Sequence, residues 1–99
     1  MCAMNTWFRA IERATTEDEV VAQARDFCSL LHPRDLAGLP DDVKSIRIAG
    51  RDDIPRLRER LEACGEVARE RAFDAEKVGD LLAYLSRATA RLEEVAHRR

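Results

Sequence analysis

The 99-residue chain is short of the residues that mark sheets, disulfide frameworks and linkers. It holds one Trp, one Tyr and three Phe, with four Gly and three Pro. So few aromatics, set against abundant Ala, Leu and alternating charge, favour helices over strands. The three cysteines, Cys2, Cys28 and Cys64, are an odd count without a Cys-x-x-Cys pair, and do not form a disulfide framework. Residues 1–6 lack a basic segment followed by an apolar core, and no apolar run approaches the roughly 20 residues of a membrane span. A soluble, reduced, cytoplasmic protein is therefore expected. Lysine is scarce, at two residues against fifteen Arg. Arg grips carboxylates and phosphates in bidentate fashion, but a GC-rich genome, where Arg and Ala codons abound, is the simpler cause. The formal net charge of −2 leaves no basic excess of the kind a dedicated nucleic-acid binder carries.

What the chain does have is helical periodicity. Ile54, Leu57, Leu61, Cys64 and Ala68 step by three and four, and Val78, Leu81, Leu85, Ala88, Leu92 and Val95 do the same, which puts each set along one side of a helix. Carried unbroken through Arg71 and Ala75, the pattern would make one rod of about 65 Å that must oligomerise. Two features oppose the rod. Arg71 would sit on the apolar seam, and Phe73-Asp74 looks like a fresh start, with Asp74 as N-cap and Phe73 stapled to Val78. Two helices folded on each other are predicted, one capped by Asp52 or Asp53 and running to about residue 71, the other from 75 to about 97. Pro55 falls in the first turn of the earlier one. Gly65 in its interior costs about 1 kcal/mol relative to Ala and is taken to mark a close helix–helix approach.

Upstream, Asn5 or Thr6 caps a short helix carrying Met4, Trp7, Phe8 and Ile11, which at about three turns needs tertiary support. Thr16 and Glu19 form a capping box for a helix from 17 to about 31, with Val20, Ala24, Phe27, Cys28 and Leu31 on its apolar side. Pro33 ends it. Residues 32–53 are irregular. A helical turn is expected over 33–37, closed by Gly38, and another start at Pro40-Asp41-Asp42 with Pro in the first position. Ile46-Arg47-Ile48 alternates like a strand but has no partner strand, so it is read as an extended crossover that tucks in both isoleucines. The last helix has a wide apolar arc through Leu81, Leu82, Leu85 and Thr89, with Asp80, Tyr84, Arg87, Arg91 and Glu94 facing out and His97-Arg98-Arg99 complementing its dipole. The fold class is thus all-α: a single helical domain over 1–99, built as a small bundle of a short N-terminal helix and three longer ones, with an irregular crossover at 32–53.

No catalytic, metal or cofactor-binding residue is assigned. Cys28 and His32 share a helical spacing, but zinc needs three or four ligands and Cys64 or Cys2 would have to supply the rest. As a nucleophile pair they lack the electropositive, exposed setting that activates a thiol. An Arg-lined helical enzyme is conceivable: small helical chorismate mutases are similar in size and Arg content, yet their first-helix Arg pattern and catalytic Lys cannot be laid on this sequence. In overall style, from Trp7 to Arg99, the chain resembles the small uncharacterised helical proteins of GC-rich proteobacteria. That resemblance implies a bacterial cytoplasmic setting and carries no functional residue over. The leading expectation is a non-enzymatic interaction or adaptor module, binding an unknown protein or a second copy of itself as a homodimer. It would bind through Trp7 and Phe8 or the basic stripe of Arg87 and Arg91, continued by Arg98. A small nucleic-acid-associated regulator using Arg56, Arg58, Arg60, Arg87 and Arg91 is the alternative, and an Arg-lined enzyme or ligand-binding bundle a third.

Overall fold

A computed structural model describes residues 4–97, with the Met4 side chain excluded; the expectations for Met4, Cys2, Arg98 and Arg99 lie outside the described side chains. Among the described residues the chain forms six α-helices, one 3-10 turn and no strand: α1 (Met4–Arg13), α2 (Glu17–Ser29), the 3-10 turn (Pro33–Leu36), α3 (Asp41–Lys44), α4 (Asp53–Ala63), α5 (Gly65–Glu70) and α6 (Ala75–His97). The all-α bundle and its crossover are as expected. The third long helix is not, because it is divided into α4 and α5.

The long seam of α6 buries Val78, Leu81, Leu85, Ala88, Leu92 and Val95, as its periodicity requires. Around this mast pack α1, α2, α4, α5 and the 3-10 turn. The opposing faces are Ile11, Val20, Ala24, Phe27, Ile54, Leu57 and Leu61, all buried. The Cα radius of gyration is 13.1 Å and the longest extent 40 Å. A compact chain of this length has a radius near 13 Å, and the unbroken 65 Å rod is excluded.

The two breaks in that rod have different causes. At the second, the Asp74 side chain accepts the Lys77 N–H at 3.1 Å, so Asp74 caps α6 as expected. Phe73 does not staple it: the ring is 69% exposed and stays out of the core. At the first, Gly65 has φ +83°, a left-handed conformation that ends α4, and a Cβ there would meet nothing within 4 Å. It is a helix stop, not a close-approach site. The carbonyls left open at the end of α4 are taken by Arg69, whose guanidinium donates to Leu61 O at 2.8 Å and Glu62 O at 3.3 Å.

Other local corrections follow the hydrogen bonds. The Thr16 hydroxyl accepts the Glu19 N–H at 3.1 Å, but the Glu19 carboxylate reaches past Thr16 to the Thr15 N–H at 2.8 Å. Pro40 stands at the N-cap of α3, one place before the expected first position. Asp52 makes no side-chain cap bond to α4. Asp53 instead turns back and accepts the N–H groups of Ala49 and Gly50, both at 2.9 Å, which ties the end of the crossover to α4.

Tyr84 is the largest departure. It was expected to face out and is fully buried. Its ring stacks on Phe27 at 4.1 Å and 12°, Trp7 meets Phe27 edge-on at 5.5 Å, and Phe8 lies 6.2 Å from Tyr84. Four of the five aromatics therefore knit α1, α2 and α6 together. The Tyr84 hydroxyl has no hydrogen-bond partner. Burial pushes its ionisation well above the usual phenol range, helped by the neighbouring Cys28 and Asp26. A buried unsatisfied hydroxyl costs about 1–3 kcal/mol, so Tyr84→Phe is expected to raise stability by about 1 kcal/mol in denaturant unfolding. A loss of that size would mean the hydroxyl has a partner after all.

The crossover is latched to α6 at Asp35, the one buried charged residue among the described residues. Its carboxylate accepts the His32 N–H at 3.0 Å and meets Lys77 Nζ at 3.2 Å. Beside it, the Phe73 N–H donates to Ala37 O at 2.8 Å. The His32 N–H, with Lys77, holds the Asp35 carboxyl below its ordinary value of 3.8, against the opposing effect of burial. A carboxyl with a depressed folded-state pKa contributes stability that is complete above the unfolded value and lost as pH falls through the folded value. Unfolding measured from about pH 5 downward should therefore show Asp35→Asn converging on the parent, while it lies below the parent at neutral pH. Parallel curves would show that the Asp35 charge adds nothing.

Candidate functional site

Pro33 turns the chain away from α2, Pro40 starts α3, and Asp53 anchors the return at Ala49 and Gly50. The crossover so bent does not close completely against the bundle. A cleft of about 480 Å³ opens between the C-terminal half of α2, the 3-10 turn, α3 and α4. Its walls are Cys28 from α2, Leu31 just beyond that helix, Leu36 from the 3-10 turn, Val43 from α3, Ile46 and Ile48 from the extended segment, and Leu57 and Leu61 from α4, with Leu81 of α6 also lining it. Ile48 is 6% exposed and Ile46 partly buried, so the crossover does tuck them in, and in doing so they become cleft wall.

The polar groups of the lining are Arg25, Ser29, Lys44 and Arg47, and no carboxylate is among them. The Arg25 Nε donates to Ile48 O at 3.3 Å and an Arg47 terminal nitrogen to Lys44 O at 2.8 Å. Lys44 meets Asp41, a fully exposed partner, at 3.3 Å. Cys28 has its thiol pushed up to about 11 by burial, so it is protonated at neutral pH and is no nucleophile. His32 is exposed and is not part of the lining.

The chain matches no protein-family model, no curated protein and no solved structure.

The residues proposed from the sequence lie elsewhere. Trp7 and Phe8 are partly buried and pack on the core. Arg87 sits over the Phe8 ring at 5.3 Å and pairs with Glu12, which closes the outer side of α1 against α6. Arg91, its side chain only 11% exposed, donates to Ala14 O at 2.9 Å and 2.8 Å and pairs with Glu94 at 2.8 Å. It satisfies a carbonyl just beyond α1. In the α4 set, Arg56 faces Asp53, Arg58 faces Glu62 and Arg60 faces Asp42, within 4 Å in each pair. None of these five arginines lines the cleft. Among the described residues no three His, Cys, Asp or Glu converge as metal ligands, and no helix is long and apolar enough to cross a membrane. The basic residues that do frame a concavity, Arg25, Lys44 and Arg47, were not singled out by their sequence positions. The available hint was the surplus of apolar residues, Leu36, Val43, Ile46 and Ile48, on an irregular segment.

Proposed function

We propose that the protein is a non-enzymatic binding module that accepts the apolar part of a partner molecule into the cleft beside the crossover. The apolar lining of that cleft carries the proposal. Its volume of about 480 Å³ falls within the range of about 300–1,000 Å³ typical of small-molecule sites. The lining supplies no paired acid and base, and its one thiol is held protonated, which favours binding over catalysis. The residues expected to meet a partner, Trp7 and Phe8 or Arg87 and Arg91, make contacts within the bundle, and the cleft is the surface we put in their place.

A neutral apolar fluorophore, N-phenylnaphthylamine, tests this. Titration should give saturable, single-site enhancement of emission at protein concentrations where sedimentation finds monomer. Ile46→Trp, which fills the cleft, should abolish the enhancement while circular dichroism retains the helix content. No saturable binding, or binding indifferent to the filled cleft, would contradict the proposal. Enhancement that appears only as the chain self-associates would assign the dye to a homodimer interface instead.

A further inference from the structure

We infer that the cleft takes a single-chain anionic amphiphile, a fatty-acid-type carboxylate, with its chain among Leu31, Ile46 and Leu57 and its head group at Arg25, Lys44 and Arg47. This rests on the binding function proposed above and names the ligand class for the same site.

Charge selects the head group. The chain carries 19 acidic and 17 basic residues, yet every charged group lining the cleft is a cation. Among the described residues neither Arg25 nor Arg47 has a carboxylate partner. Arg25 engages a backbone carbonyl through Nε, which leaves both terminal nitrogens as donors. Arg47 engages carbonyls through one terminal nitrogen, which leaves Nε and the other. Two guanidinium groups with free donors, in a lining that is otherwise mostly apolar, complement a carboxylate on a hydrocarbon chain, and Lys44, already paired with Asp41 at 3.3 Å, adds to them only in part.

Shape selects the body. A volume of about 480 Å³ lies in the lower half of the small-molecule range of about 300–1,000 Å³, which suits one acyl chain better than a two-chain lipid. An extended peptide is disfavoured because several backbone groups along the crossover are already engaged and break any continuous edge for it. Lys44 O, Ile48 O, Ala49 N and Gly50 N are already bonded within the chain.

The experiment displaces N-phenylnaphthylamine with dodecanoate, dodecanol and dodecyltrimethylammonium, each below its micelle-forming concentration. Exposed ion pairs of this kind each add a modest increment, so dodecanoate should displace the dye about threefold to tenfold more strongly than dodecanol in low salt, with the ammonium weakest. The preference for dodecanoate should shrink as salt is raised. Arg25→Gln with Arg47→Gln should bring the dodecanoate-to-dodecanol ratio to about one, and Arg47→Gln alone should lower it part-way. Bound dodecanoate should also slow alkylation of Cys28, followed by peptide mapping, relative to Cys64. Equal displacement by all three probes, or a ratio indifferent to salt and to the arginine changes, would overturn the inference while leaving a binding cleft intact. An acidic apolar peptide that displaces the dye more strongly than dodecanoate would also overturn it. Failure of the dye itself to bind would be the failure of the underlying function.

Discussion

Phe27→Ala should lower the unfolding free energy by about 3–5 kcal/mol, the cost of truncating a buried aromatic. Phe27 is 5% exposed, stacked on Tyr84 at 4.1 Å and met edge-on by Trp7. Its removal leaves a void where α1, α2 and α6 meet, and α1, at ten residues, has little stability of its own. At about 4 °C or more per kcal/mol for a chain of this size, the midpoint should fall by roughly 12 °C or more. Phe27→Leu, which keeps most of the volume, should recover more than half of that loss. Thermal unfolding followed by far-ultraviolet circular dichroism, which reads helix content, checks both changes. A fall of under about 1 kcal/mol would show that the aromatic cluster is peripheral to the core.

Gly38→Ala should destabilise by about 2–4 kcal/mol, combining a left-handed backbone with overlap against a neighbouring main chain. Gly38 has φ +99°, and a Cβ there would lie 2.9 Å from Arg71 O and 3.3 Å from Ala72 Cα. Both contacts are backbone, so no side chain can swing aside. The crossover meets the α5–α6 turn here, next to the bond from Phe73 N to Ala37 O. Gly65→Ala is the internal comparison. It shares the positive φ but has open space around it, so only the backbone term of about 1–2 kcal/mol applies. Equal losses at the two positions would show that crowding at Gly38 is absent.

Much of the fold was legible because several local signals agreed. Thr16 and Glu19 announce α2, Asp74 announces α6, and the three–four steps of Val78, Leu81, Leu85, Ala88, Leu92 and Val95 identify the mast. Gly65 was misread because a glycine in a helical pattern has two meanings, close packing or a left-handed stop. Only its φ of +83° separates them. Tyr84 was misread because its hydroxyl outweighed its place. It lies three residues after Leu81 and four before Ala88, squarely on the buried seam. The cap of α4 was left open between Asp52 and Asp53, since nothing in that pair tells which carboxylate turns back to Ala49 and Gly50.

The candidate site was less legible than the fold. A cleft is space left over when elements pack, and it depends on how far residues 32–53 stand off α2 and α4. No periodicity encodes that distance. Arg87 and Arg91 stood out because they fall on one helix at a regular spacing, and the structure engages both with Glu12, Ala14 and Glu94. Arg25, Lys44 and Arg47 come from α2, α3 and the extended segment, and only the folded chain brings them to one cleft.

The central claim is that the cleft beside the crossover is where this protein binds. The most direct measurement is a methyl-resolved NMR titration with dodecanol, which is neutral and so reports the apolar recess alone. Shifts confined to Leu31, Leu36, Val43, Ile46, Ile48 and Leu57, saturating together, are the expected result. Shifts centred on Leu30 or Val67, which are exposed and do not line the cleft, or no saturable change at any methyl, would contradict it.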